Sequence, residues 1–351
     1  MAGTSLPPND AALLDYAAFL RGVLANATLD GNSLTEEQVD RLFEGSLELP
    51  PSQRYLQVEI ENLVKAIRST AAHAKAGDLD LSPLTIQLLH AQLLKGLPLV
   101  SGAAGEYRST PSAGPAPEAI TGAMDRLHEW SSSSILAPEQ EEERMASGIL
   151  RAVLAHVYLL WIEPFAEGNG RMARLAEHQL LLGAGVPAIA AHQITIQAAA
   201  TRTAYARQLA DSRNAGNVAP FITYQVRGFV DALRALWAEV EQIQHQALWQ
   251  HHMGHLLRPE PEGQGARRLQ LMSDLAGHRT PVPASRLSRL SPELARLYAL
   301  LNPKTLQRDL AWLEAERLLV RTPNGFLARQ DLLRPFAAAK PEAPKEVREQ
   351  R

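Results

Sequence analysis

The chain has 351 residues, 46% hydrophobic and 21% charged, the balance of a globular protein long enough for two domains. It has no cysteine, which excludes a disulfide framework, cysteine metal ligands and a thiol nucleophile. The net charge of −3 hides a split: residues 1–257 carry 18 basic and 27 acidic side chains, residues 258–351 carry 17 and 11, and such an asymmetry points to two parts with different partners. Residues 1–10 lack the basic-then-apolar pattern of a leader peptide. The most apolar stretch, 146–165, is interrupted by Arg151, His156 and Glu163, so it reads as a core helix and not a membrane span. A cytoplasmic protein without membrane association is the expectation.

In chain order, the signal is helical nearly throughout. Ser33 and Glu36 form a capping-box pattern ahead of Val39, Leu42 and Phe43. Leu56, Ile60, Leu63 and Ile67 recur at helical spacing, as do Leu84, Leu88, Leu89 and Leu93 behind a Ser82 cap and a first-turn Pro83. A Gly/Pro/Ser-rich stretch, 97–117, predicts a long loop or hairpin of the kind that carries function. Helices resume over 120–130, 141–161, 170–182 and through 193–257. Residues 259–265 read as a linker, followed by helical segments at 267–276 and 304–318. Two short apolar arms around Asn324-Gly325 predict a β-hairpin, and the Ala/Pro/Lys/Glu-rich end, 337–351, reads as a disordered tail.

The densest chemistry lies at Ile162-Glu163-Pro164-Phe165-Ala166-Glu167-Gly168-Asn169-Gly170-Arg171-Met172-Ala173-Arg174. An apolar helix ends at a proline, a Gly-Asn-Gly turn follows, and a new helix opens with two arginines three residues apart. Glycines allow close backbone approach, the helix N-terminus favours an anion, and Arg171 and Arg174 share a face from which both reach phosphate oxygens. Glu167 can hold a divalent cation. The residues alone support either a polyphosphate-binding loop or a helix–turn–helix corner with two surface arginines.

These residues resemble the signature of Fic (Fido-fold) proteins, His-x-Phe-x-Asp/Glu-Gly-Asn-Gly-Arg-x-x-Arg, at every position but the first, where Glu163 replaces the catalytic histidine. Gly105-Glu106-Tyr107-Arg108 resembles the segment before the family's target-docking flap, and 202–209 with Tyr205 the helix after the signature. Residues 56–62 resemble the inhibitory pattern Ser/Thr-x-x-x-Glu-Gly/Asn, with Glu61-Asn62 matching and Gln57 in the hydroxyl position. The resemblance spans about 50–240. It implies a mainly α fold, a helical bundle with a small β-hairpin flap. It further implies that Gly168, Asn169, Gly170 and Arg171 hold the α- and β-phosphates of ATP, that Glu167 binds Mg²⁺, and that Arg174 grips the γ-phosphate. Glu61 would pair with Arg174 and hold the protein off. The implied reaction is AMP transfer to a Ser, Thr or Tyr hydroxyl of a target protein. Phe165 reads as a core anchor.

With a reference pKa of about 4.3, a glutamate is a weaker base than a histidine near about 6.5. Glu163 therefore leaves three outcomes: a nucleotide-binding pseudoenzyme acting as a regulator, an AMP transferase with a carboxylate base, or a site that has lost its nucleotide. The arginines could also serve only to pair with Glu61, Glu163 or Glu167. Of the histidines, His245, His251, His252 and His255 fit a solvated helix face better than a metal site, and His156 fits a satisfied core residue.

The C-terminal part resembles a winged helix-turn-helix, with 305–319 as recognition helix and the Asn324-Gly325 hairpin as wing. Lys304, Thr305, Gln307 and Arg308 stand where such a helix contacts the major groove, against Asp309, Glu314 and Glu316 on the same helix; DNA and a docking protein are both open as its partner. The expected organisation is an N-terminal helical extension (1–50), a Fic-like domain (51–257) with the inhibitory segment near 53–68, a winged-helix-like domain (266–336) and a tail (337–351). A homodimer is among the expected assemblies.

Overall fold

The protein was analysed as a computed structural model, which describes residues 6–76, 81–138, 140–257, 263–278, 280–302 and 304–329. The expected tail, 337–351, and most of the expected linker lie outside these residues. The chain divides into two compact units, Asn9–Trp237 and the residues from Ala238 onward, and the division falls within one long helix.

The first unit is built from α1 (Pro8–Leu29), α2 (Glu36–Phe43), α3 (Arg54–Lys75), α4 (Pro83–Leu93), α5 (Ile120–Ser132), α6 (Arg144–Ile162), α7 (Asn169–Gly183), α8 (Ala188–Ala200), α9 (Arg202–Ala215) and the first part of α10 (Ala219–Leu257). The predicted stripe of α3, Leu56, Ile60, Leu63 and Ile67, is buried, whereas on α4 Leu89 and Leu93 are buried together with Ile86 and the other two predicted positions, Leu84 and Leu88, are exposed. Ile60 and Leu63 of α3, Ile86 and Leu93 of α4, Val153 and Val157 of α6 and Leu175 of α7 belong to one core, in which α1 also takes part through Leu20 and Val23. α6 is apolar enough to cross a bilayer by length and composition. In the fold it instead packs along α7 and buries Ala152, Val153, Ala155, Val157 and Leu159.

Two local expectations shift. The capping box before α2 is formed by Thr35 and Gln38, not Ser33 and Glu36. Thr35 Oγ1 accepts from the Gln38 amide at 3.3 Å and Gln38 Oε1 accepts from the Thr35 amide at 2.9 Å. Asn32 explains the displacement, because its carboxamide holds the approach to the helix by accepting from the Leu34 amide and donating to Leu56 O. The cap of α4 is as predicted, with Ser82 accepting from the Thr85 amide and Pro83 in the first turn.

The stretch 97–117 contains no strand, so the expected β-hairpin flap is a loop of turns and bends. Its amides bond to side chains instead of a ladder: Val100 and Ser101 donate to Glu167 Oε1, and Gly105 donates to His90 Nδ1.

The second unit contains the end of α10, α11 (Gln264–Ala276), α12 (Ala284–Leu287), α13 (Pro292–Tyr298), α14 (Lys304–Ala315) and an antiparallel pair, β1 (Leu319–Thr322) and β2 (Gly325–Ala328). A bridge from Val282 to Phe326 adds a third short edge. The hairpin turn is Pro323-Asn324, one residue before the expected pair, since Gly325 already pairs with Thr322. Leu271, Leu275, Leu287, Leu294, Leu313 and Phe326 are among the residues that form this unit's separate core.

Candidate functional site

The site sits on the loop between α6 and α7. α6 ends at Glu163, whose φ of 46° is a left-handed conformation that a side chain adopts only under compulsion. The compulsion is visible: Pro164 disfavours a right-handed α conformation at the residue before it, and the buried Arg108 guanidinium grips the turn. Arg108 donates from Nε to Glu163 O at 2.6 Å, from Nη1 to Thr110 O at 2.7 Å and from Nη2 to Pro115 O at 2.6 Å. Its own amide donates to Pro164 O at 2.9 Å. The Glu163 carboxylate, about a quarter exposed, is paired through Oε1 with Arg213 Nη1 of α9 at 2.7 Å.

Phe165 is buried as expected and stacks on His90 of α4, ring centroids 3.6 Å apart. His90 accepts from Gly105 at Nδ1, so its proton is on Nε2, which donates to Glu167 O at 2.8 Å. One imidazole thereby ties α4, the 97–117 loop and the signature loop together. Burial pushes its pKa down to about 4. Asn169 closes the turn with both ends of its carboxamide, accepting from the Phe165 amide at 3.0 Å and donating to Phe165 O at 2.8 Å. Asn169 thus staples the loop.

α7 opens at Gly168, φ 76°, and carries Arg171 and Arg174 on its first turns. The corner reading had them at the surface, but Arg174 is 3% exposed and Arg171 half-buried. Arg171 pairs with Asp30 (Nε to Oδ2, 3.1 Å) and Glu59 (Nη1 to Oε1, 2.8 Å). Arg174 donates from Nε to Asn26 Oδ1 at 2.9 Å, from Nη2 to Asn26 O at 3.0 Å, and pairs with Asp30 Oδ1 at 3.0 Å. Burial pulls the Arg174 pKa down, and Asp30 and Tyr205 outweigh it, so that the net shift is upward. Burial raises the Glu59 pKa, against the pull of Arg171.

The pairing expected between Glu61 and Arg174 is not formed. Glu61 bonds Gln57 on its own helix at 2.9 Å. It lies two residues beyond Glu59, about 200° around α3, so the two side chains leave opposite faces. α3 does send a carboxylate to the arginines, but from Glu59. The carboxylate on Arg174 is Asp30, at the end of α1. The sequence held a signal for it: Asn26-x-x-x-Asp30-Gly31 has the spacing of the inhibitory pattern, with a shorter acid and an amide in place of the hydroxyl. The same segment was read as an extension outside the domain.

Asp30, Asn32, Tyr55, Glu59, Glu167 and Arg171 are among the residues lining a cavity of about 300 Å³. Its charged lining is three carboxylates, Asp30, Glu59 and Glu167, around one guanidinium, Arg171, so an anion enters only by displacing an acid. Arg171 Nη1 is buried and, although near Glu59, makes no aligned hydrogen bond. At Gly170 a Cβ would fall 2.7 Å from Asp30 Oδ1, so only glycine leaves room for an acidic oxygen against this helix end. Glu167 spends Oε1 on two amides, and a single carboxylate with phosphates and water is a sufficient donor set for Mg²⁺. Among the described residues no cluster of three or more His, Asp or Glu gathers as a metal cage.

In the second unit Lys304, Gln307 and Arg308 are exposed at the start of α14, and Thr305 is half-buried. Asp309 is not on that face. It is buried and paired with Arg267 (2.7 Å) and Arg268 (2.9 Å), and it accepts from the Tyr298 hydroxyl (3.0 Å).

Residues 80–181 match the Fic/DOC family model. The chain is similar to the protein adenylyltransferase Fic of Nematostella vectensis, 27% identical over 217 residues, covering 60% of this chain and 47% of the relative. It is similar to that of Drosophila grimshawi at 26% over 177 residues, covering 49% and 35%. The chain thus spans about half or less of the curated relatives it matches. Among solved structures it is similar in fold to a Fic family protein from Desulfovibrio desulfuricans (TM-score 0.53, 19% identity, 96% and 89% covered). A Fic domain-containing signaling protein from Bacteroides thetaiotaomicron is also similar (TM-score 0.51, 20% identity, 67% and 94% covered). The stapled loop, its two acid-paired arginines and these likenesses agree on one domain: over residues 80–181 the chain carries a Fic/DOC domain.

Proposed function

We propose that the first unit binds ATP and transfers AMP to a Ser, Thr or Tyr hydroxyl of a target protein, and that in the arrangement described here it is held off by α1. The observation that carries this is the occupation of both signature arginines by acids from outside the loop, Asp30 on Arg171 and Arg174, and Glu59 on Arg171. Carboxylates stand where phosphate oxygens would be bound, so nucleotide and Asp30 compete for the same donors. The names of the relatives support the reaction class.

With Asp30 withdrawn, Arg171 and Arg174 bind the phosphates, joined by the amides of the glycine turn. Mg²⁺, held by Glu167, would neutralise phosphate charge. The attacking hydroxyl oxygen forms a bond to the α-phosphorus, the bond to the pyrophosphate oxygen breaks, and the hydroxyl proton passes to Glu163. Arg213 engages Oε1 of that carboxylate, so Oε2 takes the proton.

A second reading, a nucleotide-binding pseudoenzyme, is favoured by that same Glu163–Arg213 ion pair, which commits the residue in the base position to a structural partner. Labelled ATP with cell lysate separates the two. The transferase reading expects protein labelling to rise in Asp30→Asn over wild type. Labelling that appears only when Glu163→His is added makes the glutamate the lesion, and no labelling in any of these folded variants contradicts AMP transfer.

For the second unit we propose a winged-helix module that binds duplex DNA through α14. The burial of Asp309 supports this, because it removes the acid nearest Arg308 from the exposed face. A cytoplasmic location fits both readings.

A further inference from the structure

A buried chain of polar side chains leads away from Arg174 into the core. The Tyr205 hydroxyl of α9, 6% exposed, bonds Arg174 and lies 2.8 Å from His156 Nε2 of α6. His156 Nδ1 lies 2.9 Å from Glu177 Oε2 of α7, and neither side chain has any exposure. Counting donors fixes the direction of the chain. An arginine only donates, so the phenol oxygen accepts from it. The single phenol proton then goes to His156 Nε2, which must be bare, and the imidazole proton sits on Nδ1 and goes to Glu177.

The charge count is equally informative. Asp30 is shared by Arg171 and Arg174, Glu59 sits on Arg171, and Glu177 stands behind His156 and Tyr205. Remove Asp30, and the two guanidiniums still face two carboxylates, Glu59 and Glu177. A buried arginine stripped of its last countercharge is strongly destabilising, so a site that exchanges one acid for a ligand needs a second that stays. Asn26 and Asp30 belong to α1 and its end; Tyr205, His156 and Glu177 belong to α9, α6 and α7.

We propose that Tyr205, His156 and Glu177 are positioning residues that hold Arg174 in place when α1 lets go, keeping its guanidinium aimed at the γ-phosphate. Asp30 is the exchangeable partner of Arg174, and Glu177, acting through His156 and Tyr205, is the permanent one. This rests on the ATP-binding reading above.

The test compares ATP and ADP affinity by calorimetry in the Asp30→Asn protein. That variant binds ATP more tightly than ADP. Adding Tyr205→Phe removes one hydrogen bond to a charged group, and the ATP-over-ADP ratio falls about tenfold while ADP affinity stays. His156→Leu gives the same fall, and His156→Gln, whose amide can still accept from the phenol, restores most of the ratio; this pair decides the matter if Tyr205→Phe does not fold. An unchanged ratio in the folded variants overturns the proposal. So does parallel weakening of ATP and ADP, which is what a loosened core alone produces. Failure of Asp30→Asn itself to bind ATP overturns the ATP-binding reading and this proposal with it, whereas ATP binding with an indifferent ratio overturns the positioning alone.

Discussion

At the scale of residues, the site depends on side chains that hold backbone in place. Arg108 fixes Glu163 in a left-handed conformation that costs on the order of 1–2 kcal/mol, and His90 and Asn169 fix the loop that follows. The histidines in this unit give it a pH dependence. Burial lowers the pKa of His90 and of His192 to about 4, and that of His178 well below its usual value, where His192 adds to the effect. Between those values and about 6.5 the unfolded chain binds the extra protons. The contribution is fully present above about pH 6.5 and is lost as pH falls toward about 4, by up to about 1.4 kcal/mol per histidine per pH unit. Urea denaturation from about pH 7 to about pH 5 should show unfolding free energy falling with acidity, less steeply in His90→Gln. Equal stability across that range contradicts the assignment. None of this was legible at His90 in the sequence, because a lone histidine in an apolar helix carries no sign of the loop carbonyl and amide it will meet from residues 105 and 167.

At the scale of elements, the proposed regulation rests on α1 and the proposed DNA contact on α14. α1 docks closely on α8: a Cβ at Gly22 would fall 2.4 Å from His192 Nδ1, so only glycine permits the approach that delivers Asn26 and Asp30 to Arg174. The helical extension is expected from the sequence but its docking face is not legible there, because the helix has little amphipathic contrast, with Leu13 and Tyr16 exposed beside a buried Leu14. On α3 a Glu-Asn pair matches the inhibitory pattern by letter, but Asn62 donates to Leu93 O and Lys95 O and Glu61 accepts from Gln57, so in this structure neither is on the arginines. The 97–117 loop was legible as an interruption but not as strandless, since its hydrogen bonds end on distant side chains. For α14, the DNA reading predicts a salt-dependent affinity for duplex DNA. In fluorescence anisotropy, Arg308→Ala should weaken binding and lower the slope of log affinity against log salt by about 1. An affinity indifferent to salt, or to Arg308→Ala, contradicts a phosphate contact there.

At the scale of the whole molecule, the acidic excess of residues 1–257 and the basic excess beyond them now have different meanings. In the first unit two of the acids sit on the two signature arginines, so part of the negative background is spent on ion pairs at the signature loop, which in the proposed off state hold the nucleotide out. In the second, Arg267 and Arg268 are spent on buried Asp309, and the surface charge left for a partner is smaller than the count suggested. Helices, most of their buried stripes and the glycine turn between α6 and α7 were readable because periodicity and glycine spacing are local. The acids facing the arginines were not, because residues 30 and 174 meet only through the tertiary fold. The account turns on that meeting, and calorimetric titration of ATP with Mg²⁺ tests it most directly. Wild type should bind weakly, Asp30→Asn at least about tenfold more tightly, and Asp30→Asn with Arg171→Ala not measurably. Equal affinity in wild type and Asp30→Asn, or binding that survives loss of Arg171, would contradict it.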